Sequence, residues 1–243
     1  MAQVSARVIF ASLVKGQRKA ISSVVAQRTY ATDSLKELRV VSWNIDGLGR
    51  STLRTRLDAI ASTITGLNPD VILLQEMVNP SAQFFQNKLG ETYNVIEGDK
   101  TFHYFTTVVV SKNIHIEKSS FRSFANTEMG RGLQIVECSY KGVVVGGGDL
   151  NIRDNEILFI GYPKGINDAW IASGMVEQER WTWDSLQNDN KFNDGTARLR
   201  FDRIYFSGPL NQVKFTLHGK KRIDRVGPYP SDHWAINCRF SRP

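Results

Sequence analysis

The chain has 243 residues, with 31 lysines and arginines against 24 aspartates and glutamates, for a net charge of +7. That length supports one large domain with a substantial core better than two small ones. Two cysteines, Cys138 and Cys238, exclude a disulfide scaffold or a structural zinc site, and no apolar run approaches the length of a membrane span. Both cysteines fall in β-like runs and are expected as buried free thiols. The charge suggests a nucleic-acid footprint, but Arg7, Lys15, Arg18, Lys19 and Arg28 all precede the first acidic residue, Asp33. A basic substrate groove must therefore be a local feature.

Residues 1–32 carry arginine, lysine, serine and alanine and no acid before Asp33. Val8, Ile9, Leu13 and Val14 alternate with basic residues at roughly helical spacing, a composition that matches an organelle transit peptide. Arg28-Thr29-Tyr30-Ala31 is similar to a mitochondrial processing site, with cleavage expected after Tyr30. The competing reading is a disordered basic tail, and a nuclear location stays open.

Residues 38–43 read as a strand opening onto Asn44-Ile45-Asp46-Gly47-Leu48-Gly49. Ser51 or Thr52 is expected to cap a helix with Leu53, Leu57, Ile60, Ala61 and Ile64 on one face and Gly66 as its stop. Residues 70–74 form a second apolar strand ending at Gln75-Glu76. Asn79-Pro80 begins another helix, carrying Phe84, Phe85 and Leu89. Short strands are expected at 92–96, 104–110, 114–121 and 133–140. Lys141-Gly142 reads as a tight turn into Val143-Val144-Val145-Gly146-Gly147-Gly148, which runs into Asp149-Leu150-Asn151-Ile152-Arg153-Asp154. Trp181-Thr182-Trp183-Asp184 follows, then a strand over 199–206, then Ser231-Asp232-His233-Trp234 and a last strand to Phe240. Strands dominate, with a few helices outside them, so the expected fold is α/β: a two-layer β-sandwich flanked by helices.

Four polar groups recur at or just beyond the end of an apolar strand: Asn44 with Asp46, Glu76, Asp149 with Asn151, and Asp232 with His233. Each alone reads as a turn or a solvated strand end. Ionised carboxylates at neighbouring strand tips repel one another unless a cation neutralises them. Oxygen donors without a thiolate or histidine cluster favour Mg²⁺ or Mn²⁺ over zinc.

Ser42-Trp43-Asn44-Ile45-Asp46-Gly47-Leu48, Leu74-Gln75-Glu76, Gly148-Asp149-Leu150-Asn151 and Ser231-Asp232-His233 together resemble the signature of the endonuclease/exonuclease/phosphatase superfamily, whose sandwich is DNase I-like. Narrower runs resemble its 5′-tyrosyl-DNA phosphodiesterase branch. These are Asn151-Ile152-Arg153-Asp154 with Glu156, Thr182-Trp183-Asp184, Leu199-Arg200-Phe201-Asp202-Arg203-Ile204 and Pro230-Ser231-Asp232-His233-Trp234. The resemblance covers about 38–240, in a domain placed at 36–243.

The resemblance implies a DNA-repair phosphodiesterase acting on DNA 5′ ends that carry the tyrosyl adduct of a trapped topoisomerase. By matching positions, Glu76 would bind Mg²⁺ directly, with Asn44 and Asp46 shaping that side of the site and Mn²⁺ as a substitute. Asp149 would deprotonate the attacking water and Asn151 orient it. His233, oriented by Asp232, would stabilise charge on the phosphoryl oxygens. Arg153, Trp183, Phe201 and Tyr104 would line the groove for the DNA end, in a monomer with no membrane partner.

One family motif is missing. A strand ending Ser-His-Leu-Glu, followed by a helix, belongs between Cys138 and Gly148, and none of His103, His115, His218 and His233 lies there. An internal deletion near 141–148 is the expected reading. Alternative functions are another enzyme of the superfamily, such as an apurinic endonuclease or a phosphoinositide phosphatase, or a nucleic-acid-binding remnant.

Overall fold

The computed structural model describes residues 37–125, 127, 131–138, 143–191, 196–210, 212–225 and 227–241. The expected leader and the Lys141-Gly142 turn lie outside the described residues. Strands β1 (Glu37–Asn44) and β2 (Val71–Met77) run parallel, joined by helix α1 (Leu53–Leu67). Helix α2 (Asn79–Leu89) leads to β3 (Tyr93–Glu97) and β4 (Phe105–Ser111). With β12 (Gln212–His218) and β13 (Ala235–Ser241) these strands form one six-stranded sheet, in the order β12-β13-β1-β2-β4-β3.

Side-chain alternation places this sheet between two cores. Leu38, Val40, Val71, Leu73, Val108 and Val110 face one core, while Val41, Trp43, Ile72, Leu74 and Val109 face the other. The second core is completed by Leu57, Ile60 and Ile64 of α1 and by Phe84 and Phe85 of α2. A sheet covered on both faces needs strands that are apolar throughout, which is why β1 and β2 read as continuous hydrophobic runs.

The opposite layer is not one sheet. It comprises β5 (Ile116–Ser123) paired with β6 (Gly132–Cys138), and a three-stranded piece in which β11 (Asp202–Ser207) lies between β7 (Val144–Asp149) and β8 (Asn167–Asp168). Among the described residues β6 and β7 do not pair. The division falls between Cys138 and Val144, the window where the sequence has no Ser-His-Leu-Glu motif. A short hairpin, β9 (Trp183–Asp184) with β10 (Arg198–Leu199), caps the rim. Both cysteines are buried and free, and burial pushes the Cys138 thiol up to about 12.

Several boundaries differ from the sequence-based ones. Thr52 precedes α1 with a left-handed backbone and makes no side-chain cap, and its hydroxyl donates to the Ser51 carbonyl instead. Gly66 lies inside α1; the stop is Asn68, whose left-handed conformation lets its N–H reach the Ile64 and Thr65 carbonyls. Two helices, α3 (Asp154–Ile160) and the single turn α4 (Ala169–Ala172), were not expected. Neither was β12, although Val213, Phe215 and Leu217 alternate with polar residues as strand residues do. Among the described residues no helix is long and apolar enough to cross a membrane.

Candidate active site

Three strand tips converge through unusual backbone. Asp46, Glu76 and Asn151, just beyond β1, near the end of β2 and just beyond β7, all adopt positive φ, at 49°, 53° and 49°. Non-glycine residues rarely sit there; each costs on the order of 1–3 kcal/mol and persists where surrounding contacts over-determine it. Glycine permits the close approach. A Cβ on Gly47 would lie 2.1 Å from the Glu76 carbonyl oxygen, and one on Gly49 would lie 2.5 Å from the Asp46 carboxylate.

Buried polar ties hold the tips together. Arg56 of α1 is almost fully buried and donates to the carbonyls of Ile45, Asp46, Gly49 and Pro230. The Ser231 hydroxyl donates to the Asn44 carbonyl at 2.6 Å and accepts from the His233 N–H, while the Trp43 indole donates to the His233 carbonyl. Thr182 completes the clamp: its hydroxyl accepts from Asp202 N and its carbonyl from Trp234 N.

Asp149 sits at the centre, 5% exposed. Its Oδ2 accepts from the amides of Asn44 and Asn151, both at 3.0 Å, and its Oδ1 accepts from the Asn151 N–H. His233 Nε2 lies 3.9 Å from the same Oδ2. The expected partner of His233 is corrected here. Its Nδ1 lies 2.7 Å from Asp202 Oδ2, whereas Asp232 projects toward Lys191 at 3.7 Å. Adjacency in sequence misleads because Asp232 and His233 leave the chain in different directions; Asp202 reaches the imidazole from β11, paired with Asp149 of β7. The signal for Asp202 was present in Arg200-Phe201-Asp202-Arg203, an acid between two arginines within an apolar strand.

The charges follow from this packing. Burial alone would lower the His233 pKa, but Asp202 and then Asp149 override it and hold the imidazole protonated well above its ordinary range. Burial raises the Asp149 pKa, reinforced by Asp202 and opposed by His233. Glu76 is raised by burial first, with Asp232 and Asp149 adding to it and an Asn44 hydrogen bond opposing. Asp46 is likewise raised by burial and by Asp232. Two acid groupings thus share one mouth. Asp149, Asp202 and His233 offer ligand atoms within 4.8 Å of one another, but the 2.7 Å Asp202–His233 contact makes that pair a charged dyad. Glu76 and Asp46 both feel Asp232, and three carboxylates that repel one another suit a hard divalent cation; beside them Asn44 turns its amide N–H to Asp149 and its Oδ1 to the Asp46 N–H.

The aromatic expectations also meet. The Trp183 and Phe201 rings lie 6.1 Å apart, both half-buried, and the Phe201 carbonyl accepts from Leu150 N beside Asp149. Arg153 is exposed at the start of α3. Tyr104 is half-buried just before β4; since Phe105 pairs with Met77, it arrives at the Glu76 end of β2.

The endonuclease/exonuclease/phosphatase family model matches residues 41–233, most of the chain. The chain belongs to the endonuclease/exonuclease/phosphatase family. Members of this family depend on divalent metals, and the acid cluster here fits that requirement. A Caenorhabditis briggsae 5′-tyrosyl-DNA phosphodiesterase is 38% identical over 263 residues, covering 90% of this chain and 74% of that protein. That alignment is longer than the chain, so the relative carries residues within it that this chain lacks. The crystal structure of truncated Caenorhabditis elegans TDP2 matches with a TM-score of 0.79 at 38% identity, covering 84% of this chain and 97% of that one. Danio rerio TDP2 complexed with a single-strand DNA product matches at 0.78 and 29% identity, covering 84% and 99%. These likenesses bear out the expected α/β sandwich of the family.

The Asp202–His233 dyad makes a prediction. Asparagine at 202 can still accept from Nδ1–H but brings no charge. An Asp202→Asn variant is expected to lose roughly 10²-fold in kcat. Without that carboxylate the imidazolium pKa falls, so the alkaline limb of the pH–rate profile should move to lower pH. A pH–kcat series on both proteins checks it; an unmoved limb would leave Asp202 a purely structural residue.

Proposed function

We propose that this chain hydrolyses the phosphodiester linking a tyrosine to a DNA 5′-phosphate, the adduct left by a trapped topoisomerase, with Mg²⁺ as its metal and Mn²⁺ as a substitute. The observation that carries the reading is the pairing of Asp149, fixed by two asparagine amides, with an imidazolium 3.9 Å away that Asp202 keeps charged. Asp149 takes the proton of the attacking water, and Asn151 fixes that water's orientation. His233 donates to a phosphoryl oxygen as negative charge builds on it. Glu76 would hold the metal directly, with Asn44 and Asp46 shaping that side of the site, and the metal would supply Lewis-acid neutralisation of charge on the phosphate.

A tyrosyl phenolate has a conjugate-acid pKa of about 10 and departs without a strong general acid, unlike the alkoxide of a DNA backbone cut. This favours the tyrosyl bond over apurinic-site cleavage. Arg153 contacts phosphate, and Trp183, Phe201 and Tyr104 offer faces to the terminal bases. Trp183→Ala is therefore expected to raise KM about tenfold with little change in kcat, a stacking loss read from steady-state kinetics.

The deciding experiment incubates the protein with a 5′-phosphotyrosyl oligonucleotide. Tyrosine should be released with Mg²⁺ or Mn²⁺ and not with EDTA; a folded protein that releases none with either metal overturns the proposal. A second reading, a DNA-binding remnant, draws on the divided second layer. It predicts oligonucleotide binding without turnover. We also propose that the protein acts as a monomer and that residues 1–32 direct it to mitochondria. Gel filtration and the location of a fluorescent fusion with and without those residues test the two.

A further inference from the structure

One cation reaches the acid cluster from outside the elements that build it. Lys191 Nζ lies 2.8 Å from Asp46 Oδ1 and 3.7 Å from Asp232 Oδ2. Its backbone is anchored for that reach. The Asn188 amide donates to the Ser231 carbonyl at 2.8 Å, and Asn190 exchanges bonds with Tyr229, donating to its carbonyl and accepting from its N–H. The turn before Lys191 is thus zipped to the residues immediately before Asp232.

The contrast with Arg56 is informative. That guanidinium lies 3.7 Å from Asp46 Oδ2 but is 3% exposed and committed to five carbonyls, that of Ser51 included, so it is a fixed part of the fold. The Lys191 side chain is 43% exposed. Its stem can swing into water without opening a core, and a long flexible ammonium is suited to such exchange.

Resting on the metal reading of Glu76, Asn44 and Asp46, we propose that Lys191 is a tethered counter-ion that occupies the acid cluster in the metal-free protein and is displaced when the divalent cation binds. Asp46 belongs to both arrangements, so the ammonium and the metal compete for its carboxylate. A lysine ammonium is charged at neutral pH and so can stand in for a cation. Two consequences follow. The tether keeps the metal-free protein folded against carboxylate repulsion, and it weakens metal affinity by making the cation evict an ammonium.

The test reads metal binding without turnover. Free Mn²⁺ is titrated by electron paramagnetic resonance into the full chain, wild type and Lys191→Met, with Lys191→Arg as the charge-conserving control. Lys191→Met is expected to bind Mn²⁺ about two- to fivefold more tightly, the size of a partly exposed ion pair. Its metal-free form should melt lower and show a larger Mn²⁺-induced rise in Tm, while Lys191→Arg stays near wild type. Equal affinities in wild type and Lys191→Met, or weaker binding by Lys191→Met, overturn the proposal while leaving the metal site standing. A wild-type protein that binds no Mn²⁺ overturns both.

Discussion

An Asp149→Asn variant is expected to lose roughly 10³-fold or more in tyrosine release while keeping its fold. The carboxylate is the only acid at this tip with three amide donors on it: Asn44 Nδ2, Asn151 Nδ2 and Asn151 N. Those donors fix its plane, and Asp149 is the acid facing His233 Nε2, at 3.9 Å, while Asp202 takes the Nδ1 side. An asparagine oxygen can keep both amide donors at Oδ2, leaving one donor facing the Asn151 N–H and costing about 1 kcal/mol. Linkage works in the other direction. A carboxyl whose folded pKa lies above its unfolded value weakens the fold as it ionises, so neutralising Asp149 removes a cost present at neutral pH. The two effects are of similar size. Thermal unfolding should therefore place Tm within a few degrees of wild type, with kcat collapsed at every pH. A large fall in Tm would instead make Asp149 an anchor of the strand tips, and the lost turnover would say nothing about a base.

The strand tips were legible in the sequence because they combine two separate signals. An apolar run that stops at a carboxylate or an amide announces a strand end, and four such stops with ordered spacing announce a site. Glu76 and Asn151 could be placed that way, but not their left-handed backbone, since no glycine marks those two positions. The partner of His233 was hidden for a different reason. Asp232 is its sequence neighbour, whereas Asp202 meets it only because β11 pairs with β7 in register, Asp202 opposite Asp149. Asp202 stands out between Arg200 and Arg203, but nothing near His233 says that the two meet. Arg56 was masked by its own helix: among Leu57, Ile60 and Ile64 it reads as an exposed charge, yet it ties Ile45, Gly49 and Pro230 together. Helix α3 was missed because Asn151 to Asp154 drew attention as chemistry, while Glu156 accepting from Arg153 N is an ordinary helix start. Among the described residues β6 and β7 are unpaired, which divides the second layer, and no local signal in either strand announces it.

Removing the Asp168 carboxylate is expected to be the most destabilising single change outside the apolar cores. Asp168 is 1% exposed at its side chain and accepts from Arg200 Nη1 at 2.7 and 2.9 Å and from Arg203 Nη1 at 3.4 Å. It also caps α4 through the N–H groups of Trp170 and Ile171. Both guanidiniums are buried, Arg203 completely at its side chain, and their other acid is Asp154, on Oδ1. An Asp168→Ala variant leaves two buried cations on one carboxylate, a loss of about 3–5 kcal/mol, with a further ~1 kcal/mol from the cap. Urea denaturation should show a lower midpoint at an unchanged slope. Asp154 gives the pH signature. Burial opposes its ionisation, but Arg200 first, then Arg203 and Arg180, hold its pKa below the ordinary 3.8. Its contribution is therefore complete above the unfolded carboxylate pKa and is lost as pH falls through the lower folded value. With Asp168 gone, less stability remains to be lost, and acid unfolding should begin at higher pH than in wild type. Activity should fall with it even where the protein is folded, because Arg203 Nη2 also reaches the Ile152 carbonyl and so ties this network to the loop that carries Asn151. Should Asp168→Ala unfold at the wild-type urea midpoint, the arginine pair is satisfied by water, and the loop carrying Asn151 must be held by the β7–β11 register alone.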